Sequence, residues 1–282
     1  MSTLEPIVST AWLAAHLGEP DLRVLDATWY LPSLGRDARA EFRAAHVPGA
    51  AYFDIDEIAD HGTSLPHMLP APAAFARAAG ALGVGDGDRV VVYGGKHLIA
   101  SARVWWMFRV FGHERVAVLD GGFPRWRAEG RPVEAGEARP ARGVFTARLD
   151  PARVADLARV RANLDRPRAQ VVDARAAGRF TGADPEPRPG LRSGHVPGSV
   201  NVPYDRLFDP AAATLLPSAG LRQAFESAGV DPARPVIATC GSGVSACVLA
   251  LGLHLLGGRE VAVYDGSWSE WGAREDVPVA RG

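Results

Sequence analysis

Short apolar runs alternate with stretches of helical periodicity along most of this chain. Val24-Leu25, Ala51-Tyr52-Phe53, Val90-Val91-Val92 and Val116 to Leu119 read as buried strands, while 72–82 and 101–111 read as helices. Late in the chain, Val236-Ile237-Ala238 forms another strand. The apolar positions Val248, Leu249, Leu251, Leu253, Leu255 and Leu256 then predict a helix that stops at Gly257-Gly258. Strands alternating with helices in this way predict an α/β fold, with parallel sheets flanked by helices on both faces.

The pattern is written twice. "VLDATWYLPSLGRDARAEFRAAHVPGAAYFDI" at 24–55 resembles "VVDARAAGRFTGADPEPRPGLRSGHVPGSVNVPY" at 171–204, and residues 89–126 resemble 235–271. Asp26 pairs with Asp173 at an offset of 173 − 26 = 147, and His46 with His195 at 195 − 46 = 149. An offset that long makes each copy a whole domain rather than a solenoid unit. The expected division is an N-terminal domain at 1–135, a linker at 136–150 rich in Pro, Gly and charge, and a C-terminal domain at 151–282.

Composition narrows the function classes. With 31 basic and 32 acidic residues the 282-residue chain has no basic footprint for nucleic acid or an anionic membrane. No apolar run approaches the ~20 residues that span a bilayer, and the N-terminus lacks a signal-peptide pattern. Two cysteines do not make a disulfide framework, so a cytoplasmic location is expected. Lys96 is the sole lysine, which reflects base composition rather than function.

One of those cysteines carries the chemistry. Cys240 falls where a strand ends and a helix begins, followed by Gly241-Ser242-Gly243-Val244-Ser245. The carboxyl end of a parallel strand is the usual ligand position in an open α/β sheet. Glycines let successive N–H groups turn inward, and the helix adds its positive end; such a cradle stabilises a thiolate. A small buried apolar residue is the ordinary use of a free cysteine, but it does not account for the glycines and serines that follow. In the first copy Gly94 stands at this position, so the chain has one such thiol, as a nucleophile needed once per chain would require. Zinc would want more ligands than Cys240 and Cys247 offer, and Cys247 reads as core. There is no CxxC, no GK[ST], and Ala246 occupies the place where a cysteine phosphatase would need arginine. No metal or cofactor is expected.

The two "HVPG" elements, "VWWMF", "DGG", "DGSWSEW" and "CGSGVSA" together resemble the two-domain rhodanese superfamily, from about residue 5 to 280. Within it, "CGSGVSA" and "GRFTGADPEPR" look like the 3-mercaptopyruvate sulfurtransferases; thiosulfate-preferring members tend to have basic residues after the cysteine and to lack the second arginine. The resemblance implies that Cys240 attacks the sulfur of 3-mercaptopyruvate, forms a persulfide, releases pyruvate and passes the sulfur to a thiol or cyanide. It implies that Arg179 and Arg188 clamp the substrate's carboxylate and carbonyl, as guanidinium forks suit planar oxygen pairs. Gly241, Gly243 and Val244 of the loop would complete the substrate site. Asp56 and His67 of "DIDEIADHGTSLPHMLP" match residues that would assist through Ser242. His46 and His195 occur in both copies and read as structural. Trp29, Tyr30 and Trp268 lie at strand ends, where core packing is the commoner use. Gly94 stands where the family often has a carboxylate, and Ser245 replaces a common threonine.

Three rivals remain. They are a thiosulfate:cyanide sulfurtransferase, a persulfide carrier for a partner protein, and a silent regulatory module. The intact Cys240 and both arginines weigh against the last. Thioredoxin is one of several candidate acceptors, and a monomer is the simplest expectation for a chain that already holds two domains.

Overall fold

A computed structural model describes residues 4–137 and 140–282. Met1–Thr3 lie outside it, as do Ala138 and Arg139 of the expected linker. The chain divides into two compact units. Of the described residues, the first holds 4–60, 70–137, 140–149 and 212–214, and the second holds 61–69, 150–211 and 215–282.

The first unit is built on strands β1 (Ile7–Val8), β2 (Leu22–Asp26), β3 (Ala51–Tyr52), β4 (Arg89–Tyr93) and β5 (Val116–Leu119). The second repeats them as β6 (Val154–Ala155), β7 (Gln170–Asp173), β8 (Val200–Asn201), β9 (Val236–Thr239) and β10 (Val261–Tyr264). Sheet order is β1-β5-β4-β2-β3 in one and β6-β10-β9-β7-β8 in the other, and the pairings are parallel. The central strands are buried along nearly their whole length: Val90–Tyr93 and Val236–Thr239. β-branched side chains suit a sheet covered on both faces, which is why these runs are continuous rather than alternating.

The long helices follow the expected pattern closely. They span Pro72–Ala81, Ile99–Val110 and Ala246–Leu255. The two-residue edge strands β1 and β6 were not expected, because two residues carry no periodicity. Each is defined by its neighbour, Ile7 opposite Val118 and Val154 opposite Val263.

Two segments depart from the expected domain division. Residues 143–148 were assigned to a linker, yet they are fastened to the first unit. Gly143 N–H donates to Gly80 O, Asp86 N–H to Val144 O, and Arg148 N–H to Phe111 O. The Phe145 ring is buried edge-on against Phe75 and Phe108, at 5.6 Å from each. Residues 61–69 were placed in the N-terminal domain and instead pack with the second unit.

Phe145 is therefore core, not linker. Phe145→Ala is expected to destabilise the first unit by about 3 kcal/mol, the usual cost of emptying a buried aromatic site. Denaturant unfolding followed by a probe in that unit checks it; an unchanged midpoint would return the segment to linker.

Candidate active site

Topology brings the site together. β7 and β9 are neighbours with Asp173 opposite Thr239, so whatever follows each strand emerges at the same carboxyl edge. From β7 the chain runs outward to β8, and from β9 it runs the other way to β10. The crevice where strand order reverses is where open α/β sheets bind ligands.

Cys240 directly follows β9 and is buried. Its backbone is held from both sides by the turn after β10. The Cys240 N–H donates to Ser267 Oγ at 3.1 Å, and the Cys240 carbonyl accepts from Trp268 N–H at 3.0 Å. Gly241 O accepts from both the amide and the hydroxyl of Ser269, each at 2.8 Å. Ser267 Oγ in turn donates to Tyr264 O at 2.7 Å. Ser267 is fully buried with φ +47, a left-handed conformation that costs a non-glycine residue about 1–3 kcal/mol. Its hydroxyl bonds offset that cost.

Further along the loop, Gly243 takes φ +74 and turns the chain into the helix Ala246–Leu255. Cys247 is buried and donates its thiol to Gly243 O at 3.2 Å, so it pins the loop, in line with the core reading. Carbonyls of Cys240, Gly241, Gly243 and Val244 are thus engaged by Trp268, Ser269 and Cys247. Ser242 and Val244 are also buried.

Arg179 sits on the short helix Ala177–Thr181 that follows β7. Its guanidinium reaches the cysteine loop: a Cβ placed on Gly241 would stand 3.0 Å from Arg179 Nη2, so any larger residue there would press on the guanidinium. Glu186 fixes the guanidinium with Oε2 2.6 Å from Nη2 and Oε1 3.2 Å from Nε. The Glu186 carboxylate is 2 % exposed and also accepts from Arg175 Nη1 at 2.7 Å. Arg175 is buried, pairs with Asp173 at 2.7 Å, and lies 4.4 Å above the Trp268 ring. Burial works against the Arg175 charge, but Asp173 and Glu186 outweigh it and hold its pKa above the ordinary arginine value. Burial likewise raises the Tyr204 hydroxyl, with Asp205 adding to the rise and Arg179 opposing it.

Arg188 meets His67, Nη2 to Nε2 at 3.4 Å. A guanidinium has only donors, so Nε2 is the acceptor in this contact. His67 comes from the 61–69 segment, is buried, and has φ +60. Asp56 belongs to the first unit, where its Oδ2 accepts from Trp29 Nε1 at 2.8 Å. Trp29 is therefore a partner of that carboxylate. Trp268 is core: its ring is buried and its Nε1 donates to Arg192 O at 2.9 Å.

His195 braces Arg179's helix. Its ring stacks 3.8 Å from Phe180, and its Nδ1 lies 2.8 Å from Phe180 O. His46 does the same to Phe42 in the first unit. Both are structural, bonding a helix carbonyl. Glu186, Arg175 and Ser267 were missed by sequence reasoning, although each lies in or beside a stretch quoted for its resemblance. The signal available for Ser267 was the mismatch with Gly122 at the same place in the first copy.

Fold and site define a duplicated α/β protein with a thiol-bearing, arginine-flanked loop in only one copy. The Rhodanese-like domain family model matches residues 9–129 and 156–274, and the chain belongs to that family. It is 47 % identical over 300 residues to "Thiosulfate/3-mercaptopyruvate sulfurtransferase 1, mitochondrial" of Arabidopsis thaliana, covering 99 % of this chain and 79 % of that one. It is 47 % identical to the 3-mercaptopyruvate sulfurtransferase of Homo sapiens, covering 96 % and 94 %. Proteins named thiosulfate sulfurtransferase match at 46–47 %. Among solved structures, that of SseA from Escherichia coli, a 3-mercaptopyruvate sulfotransferase, superposes with TM-score 0.86 at 37 % identity, covering 95 % of this chain and 99 % of that chain.

Glu186 holds two guanidiniums in place from a buried position. Glu186→Ala is expected to cost about 3 kcal/mol, the usual penalty for removing one partner of a buried ion pair. Thermal unfolding of the second unit measures it, and a loss below 1 kcal/mol would mean that water replaces the carboxylate.

Proposed function

We propose that this protein transfers the sulfur of 3-mercaptopyruvate to a thiol or cyanide acceptor through a persulfide on Cys240. The observation that carries this reading is the guanidinium of Arg179, charge-fixed by Glu186 and set against Gly241, the residue after the nucleophile. A planar donor that carries a carboxylate beside a carbonyl suits two such forks better than a tetrahedral one does. The chain's relatives include proteins named for either donor, so overall identity does not choose between them.

In the first step the Cys240 thiolate attacks the donor sulfur. The carbon–sulfur bond breaks, its electron pair goes to the pyruvate enolate, and the enolate takes up a proton at carbon. In the second step an acceptor thiolate or cyanide attacks the outer sulfur and the Cys240 thiolate leaves. Two half-reactions through a covalent intermediate give ping-pong kinetics. Arg179 and Arg188 bind the carboxylate and carbonyl oxygens and favour the enolate as its charge develops. Amides of Gly241, Gly243 and Val244 favour the thiolate and the persulfide anion. His67 accepts from Arg188 and so lies beside the second fork. Ser242 and His67 deliver the enolate's proton, and Asp56 assists; that assignment rests on the resemblance. The enzyme acts as a monomer in a reducing cytoplasm with a small thiol or thioredoxin as acceptor; two cysteines in 282 residues, too few for a disulfide framework, support the compartment. No described helix is long and apolar enough to cross a membrane.

Steady-state kcat/KM for 3-mercaptopyruvate and for thiosulfate, with one acceptor, tests the reading. A preference of more than about tenfold for mercaptopyruvate is expected, or ~1.4 kcal/mol in transition-state binding. A preference for thiosulfate would make the enzyme a thiosulfate:cyanide sulfurtransferase. Cys240→Ser should abolish turnover. Arg179→Ala and Arg188→Ala should each raise KM for mercaptopyruvate at least tenfold, in line with ~1.5–3 kcal/mol for a charged hydrogen bond. Unchanged KM in both arginine variants would remove the clamp.

A further inference from the structure

The turn that holds Cys240 also holds the segment that carries His67. Leu69 N–H donates to Asp265 Oδ2 at 2.8 Å, and Asp265 is 4 % exposed. Asp265 follows the last residue of β10, and its own N–H is fixed to Ala155 O on β6. Two residues on, Ser267 receives the Cys240 amide; Trp268 and Ser269 then bond the Cys240 and Gly241 carbonyls. Four of the five residues from Asp265 to Ser269 thus bond to one side or the other of the candidate site.

His67 needs such an anchor. Its φ of +60 is a conformation that a non-glycine residue keeps only when its surroundings over-determine it. Arg188 meets its ring, and Asp265 grips the backbone two residues later. A buried carboxylate accepting an amide proton makes a charge-assisted bond, roughly twice as strong as a neutral one.

The first repeat carries the same backbone position. Asp120 occupies the equivalent backbone place, with its N–H on Val8 O. There the carboxylate stands 3.9 Å from Arg125 Nη1, a residue of its own following helix. The backbone position is shared by both copies.

We infer that Asp265 is a positioning residue for the sulfur-transfer site: it ties the His61–Leu69 segment, and with it His67, to the turn that sets the Cys240 loop. The inference rests on the proposed sulfurtransferase reading for its kinetic readout and on hydrogen exchange for a readout independent of it.

The test compares Asp265→Ala, Asp265→Asn, His67→Ala and the double variant His67→Ala/Asp265→Ala in the full chain. In Asp265→Ala, exchange of the Leu69 amide should accelerate at least tenfold while β9 and β10 stay protected. The same variant should lower kcat/KM for the donor at least tenfold. Asp265→Asn, which keeps an acceptor oxygen, should recover most of that loss. In the His67→Ala background, Asp265→Ala should cost less than twofold more, because the two act through one group. Unchanged Leu69 exchange in Asp265→Ala overturns the inference, and so does an equal kinetic cost in both backgrounds. If Asp265→Ala loses protection throughout the domain, Asp265→Asn decides, since its neutral bond is roughly half as strong and should speed Leu69 exchange alone; an unchanged rate there overturns it. If the wild-type protein turns over thiosulfate but not mercaptopyruvate, the donor reading fails, and thiosulfate serves as donor for the same comparison. If neither donor turns over, the sulfurtransferase reading fails, and Leu69 exchange alone decides whether Asp265 ties the segment down.

Discussion

The second unit's site depends on how the residue after a central strand is held. Cys240 is pinned through its amide by Ser267 and through its carbonyl by Trp268, so its backbone cannot turn without breaking a buried hydrogen bond. An unmet buried donor or acceptor costs about 1–3 kcal/mol, more than most surface contacts contribute. Ser267 is kept in a left-handed conformation to make its bond, with a second bond to Tyr264 O compensating. In the proposed reaction, a nucleophile held this way meets its donor with its loop already ordered.

Charge is arranged around the same edge with equal economy. Three carboxylate–guanidinium contacts run from Asp173 through Arg175 and Glu186 to Arg179, from a fully buried pair outward to a partly exposed guanidinium. The inner members neutralise one another where water is absent, which a buried charge requires. The outermost guanidinium is oriented by Glu186 and still open enough to take a second anion, since its side chain is 26 % exposed. The buried and the partly exposed charges therefore form one continuous chain.

Duplication explains the frame. In the first unit Phe123 N–H donates to Gly94 O at 2.9 Å, as Trp268 N–H does to Cys240 O, and Gly122 takes φ +57 where Ser267 takes +47. Both copies build the same corner between the central strand and its neighbour. Glycine satisfies that corner at no steric cost. Serine accepts the strain and adds a hydroxyl for the cysteine's amide.

Sequence alone determined the two α/β units, the central strands and the loop from Cys240 to Ser245, because each is local. A buried parallel strand is a continuous apolar run, and a glycine-rich loop between strand and helix is read from neighbours in the chain. Only the tertiary structure decided that Glu186 stands between two arginines, that Phe145 closes the first unit's core, that residues 61–69 pack with the second unit, and that Asp265 receives Leu69. Glu186 is only 7 and 11 positions from its arginines but reaches them from a stretch without regular structure; the other facts depend on residues far apart in the chain, 196 positions in the last case, and no periodicity or motif within either segment encodes which distant group will meet it.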